Sequence, residues 1–147
     1  MVEVSPLRLL AQDPDDVQVL SAALQDAIAK VGDINYEPAA RSLTLALNRY
    51  CWEHGAPGKR GAERVRSALQ IGGVLSVRAR RIKREPKDAV VELLALEFTP
   101  GDAPGGNMLL RFAGGADLEV TVECVDAVLA DLSAPWPARH EPRHDLA

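Results

Sequence analysis

The sequence predicts an α+β fold in which an antiparallel sheet forms most of the domain. Two observations indicate the sheet. Apolar and polar residues alternate in one segment after another, and the pairs Gly72-Gly73 and Gly114-Gly115 stand between alternating segments, where tight turns are expected. A third observation adds helices, because apolar residues recur at helical spacing in 17–28 and again in 125–132. The 147 residues are enough for one such domain.

The N-terminal part is predicted to add one strand and one helix to the sheet. Residues 7–11 are apolar apart from Arg8, which is typical of a short strand. Asp13 can cap the helix that follows, over 14–26, and Pro14 suits the first helical position.

The main sheet is predicted to begin at Ala27, where the spacing of the apolar residues changes from that of a helix to that of a strand. Gly32-Asp33 marks a bulge or kink in the first strand, and a second bulge is expected near Arg80-Arg81. The strands counted from Ala27 are 27–36, 42–52, 64–71, 74–83, 89–98, 108–113 and 117–123.

A C-terminal capping helix is predicted to follow over 125–133. Its apolar stripe consists of Val125, Val128, Leu129 and Leu132. The strand 89–98 is apolar on both faces and needs a cover, so we expect the stripe to pack near Val91, Leu94 or Leu96.

The order of the elements favours a partly open barrel of about seven strands that is pleckstrin-homology-like, because hairpins in series are closed by a helix. The leading strand and helix are an addition to that fold, and the assignment is an analogy of element order. We expect a single domain over 1–133 and a Pro/Arg/His-rich tail over 134–147.

Composition excludes several classes of protein. No apolar run exceeds four residues and no secretory signal is recognisable, so we expect a soluble cytoplasmic protein without a membrane span. The net charge of −4 and the presence of only six aromatic residues argue against a nucleic-acid partner. Two cysteines are too few for a disulfide scaffold.

Charge is distributed unevenly along the chain. Residues 59–87 contain ten Lys or Arg and two acidic residues, a balance of +8, whereas the rest has seven basic and nineteen acidic residues, a balance of −12. The sequence therefore predicts a basic surface on an otherwise acidic protein.

A basic hairpin over 64–84 is the predicted binding site. Pairing across Gly72-Gly73 would place Arg78 roughly opposite Ser67 and Arg80 roughly opposite Val65, and would bring the arginines together. Grouped guanidinium groups suit phosphate or carboxylate. We therefore predict a non-enzymatic binding module for an anionic small molecule or an acidic protein, although a solvated edge hairpin explains the same charges. The candidate residues are Arg64, Arg66, Arg78, Arg80, Arg81 and Lys83.

Two other functions are open from the sequence. A homodimer could form through a strand edge or a helix face. An enzyme of another class could have a site near Trp52 and His54, although no orienting group or oxyanion hole is recognisable beside Cys51. Neither a metal site nor a cofactor is predicted, because the paired cysteine spacing of zinc sites is absent.

Five segments of the chain are specific in combination. They are LQDAIAKVGD (24–33), LNRYCWE (47–53), ERVRSAL (63–69), FTPGDAPGGNMLLRFAGG (98–115) and VEC…LADL…W (122–136). Together they resemble a bacterial family called "domain of unknown function 2948", and the resemblance covers nearly the whole chain, from Leu7 to Trp136. It implies no activity, cofactor or site residue, because the family has none assigned.

Overall fold

The structure, a computed structural model, describes residues 6–52 and 63–137. Within those ranges the chain forms one α-helix, α1 (Pro14–Leu24), and eleven strands in one antiparallel sheet. The strands are β1 (Arg8–Ala11), β2 (Ala27–Lys30), β3 (Ile34–Glu37), β4 (Ser42–Tyr50), β5 (Glu63–Ile71), β6 (Val74–Arg80), β7 (Val90–Pro100), β8 (Gly106–Phe112), β9 (Asp117–Val122), β10 (Ala127–Asp131) and β11 (Trp136–Pro137). The α+β class and the antiparallel sheet are confirmed.

The sheet is open and runs in the order β1-β10-β5-β4-β2-β7-β8-β9-β6. Two short strands lie off this path, since β3 pairs with the first half of β4 and β11 pairs with the start of β5. Strand β4 has the alternation expected of a core strand, with Leu43, Leu45 and Leu47 buried. Neighbouring strands in the sheet are often distant in the sequence, so long-range pairing decides the architecture.

Helix α1 begins where the sequence predicts it. The Asp13 side chain accepts a hydrogen bond of 2.9 Å from the Asp16 N–H, and Pro14 follows in the first turn. The helix packs on β7, where the Leu96 N–H donates a 3.0 Å hydrogen bond to Ser21 Oγ. The N-terminal helix thus covers the two-faced strand for which the sequence predicts a C-terminal cover.

The predicted C-terminal capping helix is wrong, because its central residues form β10 between β1 and β5. Ala127 and Leu129 are buried, while Leu132, which also belongs to the predicted stripe, is 61% exposed. The segment is too short for helical and strand spacing to be distinguished. The strand conformation is favoured because β1 and β5 both need partners for their backbone groups.

The count of about seven strands is also wrong, because eleven are present in the described residues. A 3-10 turn, Val31–Asp33, divides the predicted strand 27–36 into β2 and β3. Val31 N–H donates to Ala89 O and Gly32 N–H to Lys87 O, so this turn is bonded to the segment that precedes β7. Strands β10 and β11 were not predicted, whereas β1 corresponds to the leading strand predicted over 7–11. The pleckstrin-homology-like barrel is not confirmed.

The predicted tail 134–147 is described only in its first residues, where Trp136 pairs with Arg64 across β11 and β5. The division into a domain and a tail stays a prediction. In the described part of the chain, no helix is long and apolar enough to cross a membrane.

A buried ion pair joins the strands at one end of the sheet. Arg49 Nε and Nη2 each donate a 2.9 Å hydrogen bond to the Asp131 carboxylate, and the two side chains are 0% and 6% exposed. Asp131 also accepts hydrogen bonds from Ser67 Oγ (2.7 Å) and from the Leu7 N–H (2.8 Å). This network links β4, β5 and β10 to the residue that precedes β1.

Candidate functional site

The predicted pairing of β5 with β6 in a basic hairpin is wrong. Strand β5 is paired with β4 on one side and with β10 on the other, so β6 has no edge of β5 to pair with. Instead β6 pairs with β9, and this register places Arg78 opposite Glu119 and Arg80 opposite Asp117. Opposite charges across a strand pair are stabilising, whereas a hairpin with β5 would bring arginines together. The six candidate residues therefore form two separate groups, one on β5 and one on β6 and the segment after it.

The first group, Arg64 and Arg66 on β5, forms contacts within the protein. Arg64 Nη1 donates to the backbone oxygens of Asp26 (3.2 Å) and Asn48 (3.1 Å), and its guanidinium lies 6.0 Å from the Tyr50 ring centroid. Burial lowers the pKa of Arg64, although the nearby Asp26 and Glu92 carboxylates oppose this change. Such contacts are typical of a residue that stabilises the fold.

Arg66 is also occupied by neighbours. Its Nη2 donates a 3.0 Å hydrogen bond to Asp33 Oδ2, and its Nη1 donates a 3.2 Å hydrogen bond to Asn48 Oδ1. The ion pair with Asp33 is about one-third exposed on each side. A ligand that bound Arg66 would have to compete with this carboxylate.

The second group lies on β6 and in the segment after it. Arg80 makes a bidentate pair with Asp117, with hydrogen bonds of 3.0 Å from Nε and 2.5 Å from Nη2. These hydrogen bonds lower the pKa of Asp117, and the charges of Arg111 and Arg81 act in the same direction. Arg81 has a left-handed backbone with a φ of 58°, and its guanidinium lies over Gly115.

Arg78 and Lys83 are exposed, and neither side chain makes a hydrogen bond or an ion pair with another residue of the described ranges. Arg78 lies opposite Glu119 in the register. Arg78, Arg80, Arg81 and Lys83 therefore give one end of the sheet a basic character, while Asp117 neutralises part of the charge.

An apolar cleft of about 450 Å³ lies beside this basic end of the sheet. Ligand sites in proteins commonly have volumes of about 300–1,000 Å³ and are lined mainly by apolar side chains. The cleft is lined by residues of β3, β4, β6 and β9 and of the segments 31–32 and 82–87. The apolar side chains of the lining include Ile34, Leu43, Val77, Ala79, Ile82 and Leu118.

Two cations, Arg84 and Lys87, also line the cleft. Both side chains are exposed, and within the described ranges neither is hydrogen-bonded or ion-paired. They lie in the segment between β6 and β7, where the Lys87 backbone oxygen accepts a hydrogen bond of 2.9 Å from the Gly32 N–H. An anionic group that entered the cleft would meet an arginine and a lysine that no described acidic residue occupies.

The sequence indicates the positive charge of this site but not the apolar side chains that line it. Arg84 and Lys87 belong to the basic segment 59–87, and Arg84 is the last residue of the predicted hairpin. The apolar walls come from four strands that are remote in the sequence, and their side chains have the same alternation as core residues. The sequence contains no signal that separates them from the core.

The region near Trp52 was the alternative site for catalysis. Trp52 Nε1 donates a 3.0 Å hydrogen bond to Gln25 O, and the Trp52 ring lies 4.4 Å from that of Tyr50 with an interplanar angle of 58°. Cys51 is buried and forms no disulfide, and His54 lies outside the described residues. Among the residues that are described, no group of three His, Cys, Asp or Glu side chains is arranged to hold a metal ion.

Comparison with known proteins assigns the chain to a family. The family described as "Protein of unknown function (DUF2948)" matches residues 7–144, so the chain belongs to this family and the resemblance seen in the sequence is confirmed. Neither the curated proteins nor the solved structures contain a match to the chain.

Proposed function

We propose that this member of the DUF2948 family is a non-enzymatic binding module that holds an anionic ligand in the cleft between β3 and β6. The observation that carries the proposal is the combination of an apolar cleft with two cations, Arg84 and Lys87, that have no acidic partner among the described residues. A ligand with an apolar part and a carboxylate, phosphate or sulfonate group is complementary to such a site.

The two cations have different roles in the proposal. The planar guanidinium of Arg84 can donate two parallel hydrogen bonds to a carboxylate or phosphate, whereas the ammonium of Lys87 acts as a point charge. Ile34, Val77 and Ile82, which are partly exposed, contribute the apolar wall that would cover the rest of the ligand. Charge therefore orients the ligand, and burial of its apolar part supplies affinity.

The residues predicted from the sequence have a supporting part. Arg78, Arg81 and Lys83 lie on β6 or shortly after it, and their field would attract an anion toward the cleft. Arg80 is paired with Asp117, and Arg64 and Arg66 are held by contacts within the protein. We therefore place the direct contacts at Arg84 and Lys87.

In this proposal the partner is a small anion or an acidic segment of a protein, and binding takes place in the cytoplasm. Nucleic acid is not favoured as a partner, because the whole chain carries a net charge of −4. A homodimer through an exposed strand edge stays a prediction, which sedimentation at micromolar concentration would test. Catalysis near Trp52 and His54 likewise stays a prediction.

The proposal is tested with 1-anilinonaphthalene-8-sulfonate, an amphipathic anion that fluoresces in apolar sites. The double variant Arg84→Ala/Lys87→Ala removes both cations of the cleft. The matched control, Arg8→Ala/Arg111→Ala, removes the same charge from exposed positions that do not line the cleft; Arg111 pairs with Glu97, which does not line it either. The unfolding midpoint of each variant is measured first, because an unfolded protein also binds this probe.

We expect the cleft variant to bind the probe about 2- to 30-fold more weakly than the wild type, since each exposed ion pair contributes about 0.2–1 kcal/mol. The control should bind as the wild type does. Affinity should also fall as salt is raised from about 0.1 M to 1 M, because the Debye length shortens from about 10 Å to 3 Å. Equal affinities of the cleft variant and the control would overturn the proposal.

A further inference from the structure

We propose that the ligand of the cleft is an extended acidic peptide segment that adds to β6 as a further strand. The inference rests on the proposed function and deepens it, because it names the class of ligand and the way in which it binds. Strand addition is a recurrent mode of peptide recognition in which main-chain hydrogen bonds give affinity and side-chain pockets give specificity.

The first observation is the position of β6 at the end of the sheet. One edge of β6 pairs with β9 from Val74 to Arg80, and within the described residues no strand pairs with its other edge. At the start of that other edge the Val74 N–H donates a 2.9 Å hydrogen bond to Arg41 O, so the available part of the edge is 75–80. Strand β3 has the same arrangement, since β4 is its only strand partner among them. Val77 of β6 and Ile34 of β3 both line the cleft, so the cleft lies between two strands that each have an edge available. An edge of this kind is a template for an added strand.

The second observation is the alternation of β6. Val77 and Ala79 line the cleft, while Arg78 and Arg80 between them project from the other face. A strand that paired with β6 would place alternate side chains in the apolar cleft and the intervening side chains beside the arginines. The complementary pattern is therefore apolar and acidic residues in alternation.

The third observation is that β6 already accepts this pattern on its other edge. In β9, Asp117 lies opposite Arg80 and Glu119 lies opposite Arg78, while Leu118 between them is turned to the cleft. Because the two edges of a strand present the same side chains, an added strand of the same pattern would meet the same charges and the same apolar face.

The charges also argue against a second copy as the occupant. Two β6 strands paired with each other would bring Arg78 and Arg80 against the same residues of the partner, and like charges that face each other across a strand pair are destabilising. An acidic segment gains from Arg78, whose side chain has no partner among the described residues, and from Arg84 and Lys87 at the cleft, whereas Arg80 is already paired with Asp117. Charge complementarity therefore selects an acidic peptide.

The test compares three synthetic peptides on the full-length protein. The first has seven residues of alternating glutamate and valine. The second has the same composition, with all glutamates before all valines. The third has the first sequence with N-methyl groups on alternate peptide nitrogens along the edge that faces β6. Affinity is measured by titration calorimetry, and amide hydrogen exchange reports which residues of the protein become protected.

We expect the alternating peptide to bind and to slow exchange of alternate amides in 75–80, the ones that face away from β9, because the Val74 N–H already donates to Arg41 O. The N-methylated peptide should bind at least about tenfold more weakly, because it loses about three hydrogen bonds that contribute about 0.5–1.5 kcal/mol each. Arg78→Ala should weaken binding of the alternating peptide by about 1.4- to 5-fold, and the control Arg8→Ala should not.

Each contrary result has its own meaning. If the peptide with all glutamates before all valines, or the N-methylated peptide, bound as tightly as the alternating peptide, or if protection appeared outside β6, strand addition would be overturned and the anion site would be left in place. Failure of all three peptides, together with cation-dependent binding of the naphthalene sulfonate, would overturn the peptide proposal alone. If the sulfonate also bound without need of Arg84 and Lys87, both proposals would fail.

Discussion

The buried pair of Arg49 and Asp131 allows the sharpest test of how the sheet is held together. The substitution Arg49→Met keeps the length of the side chain and removes its charge and donors. It leaves the Asp131 carboxylate, which is 6% exposed, with hydrogen bonds from Ser67 and the Leu7 N–H but without its counter-charge. Removal of one partner of a buried ion pair costs about 3–5 kcal/mol.

This loss is a large part of the total, since a domain of this kind is stable by about 5–15 kcal/mol. Urea unfolding measures the free energy directly, and in a thermal scan we expect the melting temperature to fall by about 6–20 °C. The control is Arg111→Met, because the Arg111–Glu97 pair has a similar distance of 2.8 Å but is about half exposed. The control should lose about 0–1 kcal/mol.

The double variant Arg49→Met/Asp131→Leu replaces both charges with apolar groups. Since no unpaired charge is then buried, it should be about 2–3 kcal/mol more stable than the sum of the two single substitutions predicts. Effects that add within about 0.5 kcal/mol, or an Arg49→Met variant no weaker than Arg111→Met, would refute the coupling between these residues.

Two further predictions concern the same end of the sheet. Leu129 lies in a row with Leu9 and Leu69 on the neighbouring strands, so Leu129→Ala should lower the free energy of unfolding in urea by about 2–5 kcal/mol. The Leu132 side chain is 61% exposed, so Leu132→Ala should change this free energy by less than about 0.5 kcal/mol. Equal effects of the two substitutions would contradict the placement of β10. Burial opposes ionisation of Asp131, but the hydrogen bonds from Arg49, the Leu7 N–H and Ser67 outweigh it and lower its pKa below the ordinary value of 3.8. Its carboxylate therefore stabilises the fold above that pH and loses this contribution as the pH falls further, so the difference in unfolding free energy between the wild type and Asp131→Asn should shrink below about pH 3.8, and a difference that does not change with pH would be evidence against the network.

The local elements of this fold can be predicted from the sequence because the residues that indicate them are close together in the chain. Asp13 and Pro14 mark the start of α1, and the alternation of leucines in 43–47 marks β4. In both cases the residues that give the pattern also form the element. The family is legible for a similar reason, since it depends on segments of the chain and not on their contacts.

The choice of partners is not legible in this way. Gly72-Gly73 is typical of a hairpin, but β4 and β10 occupy both edges of β5, and β9 offers acidic residues to Arg78 and Arg80. The segment 125–132 satisfies helical and strand spacing alike, and the backbone groups of β1 and β5 decide for the strand.

The candidate site shows the same division. The concentration of cations in 59–87, which include Arg84 and Lys87, can be read from the sequence alone, because charge is a property of composition. The packing of the strands then fixes which cations are paired, as Arg80 is with Asp117, and which border an apolar cleft. The walls of that cleft, such as Leu43 and Leu118, are 75 positions apart in the chain, and pairing at such a distance depends on competition among all the strand edges, which no single segment of sequence encodes.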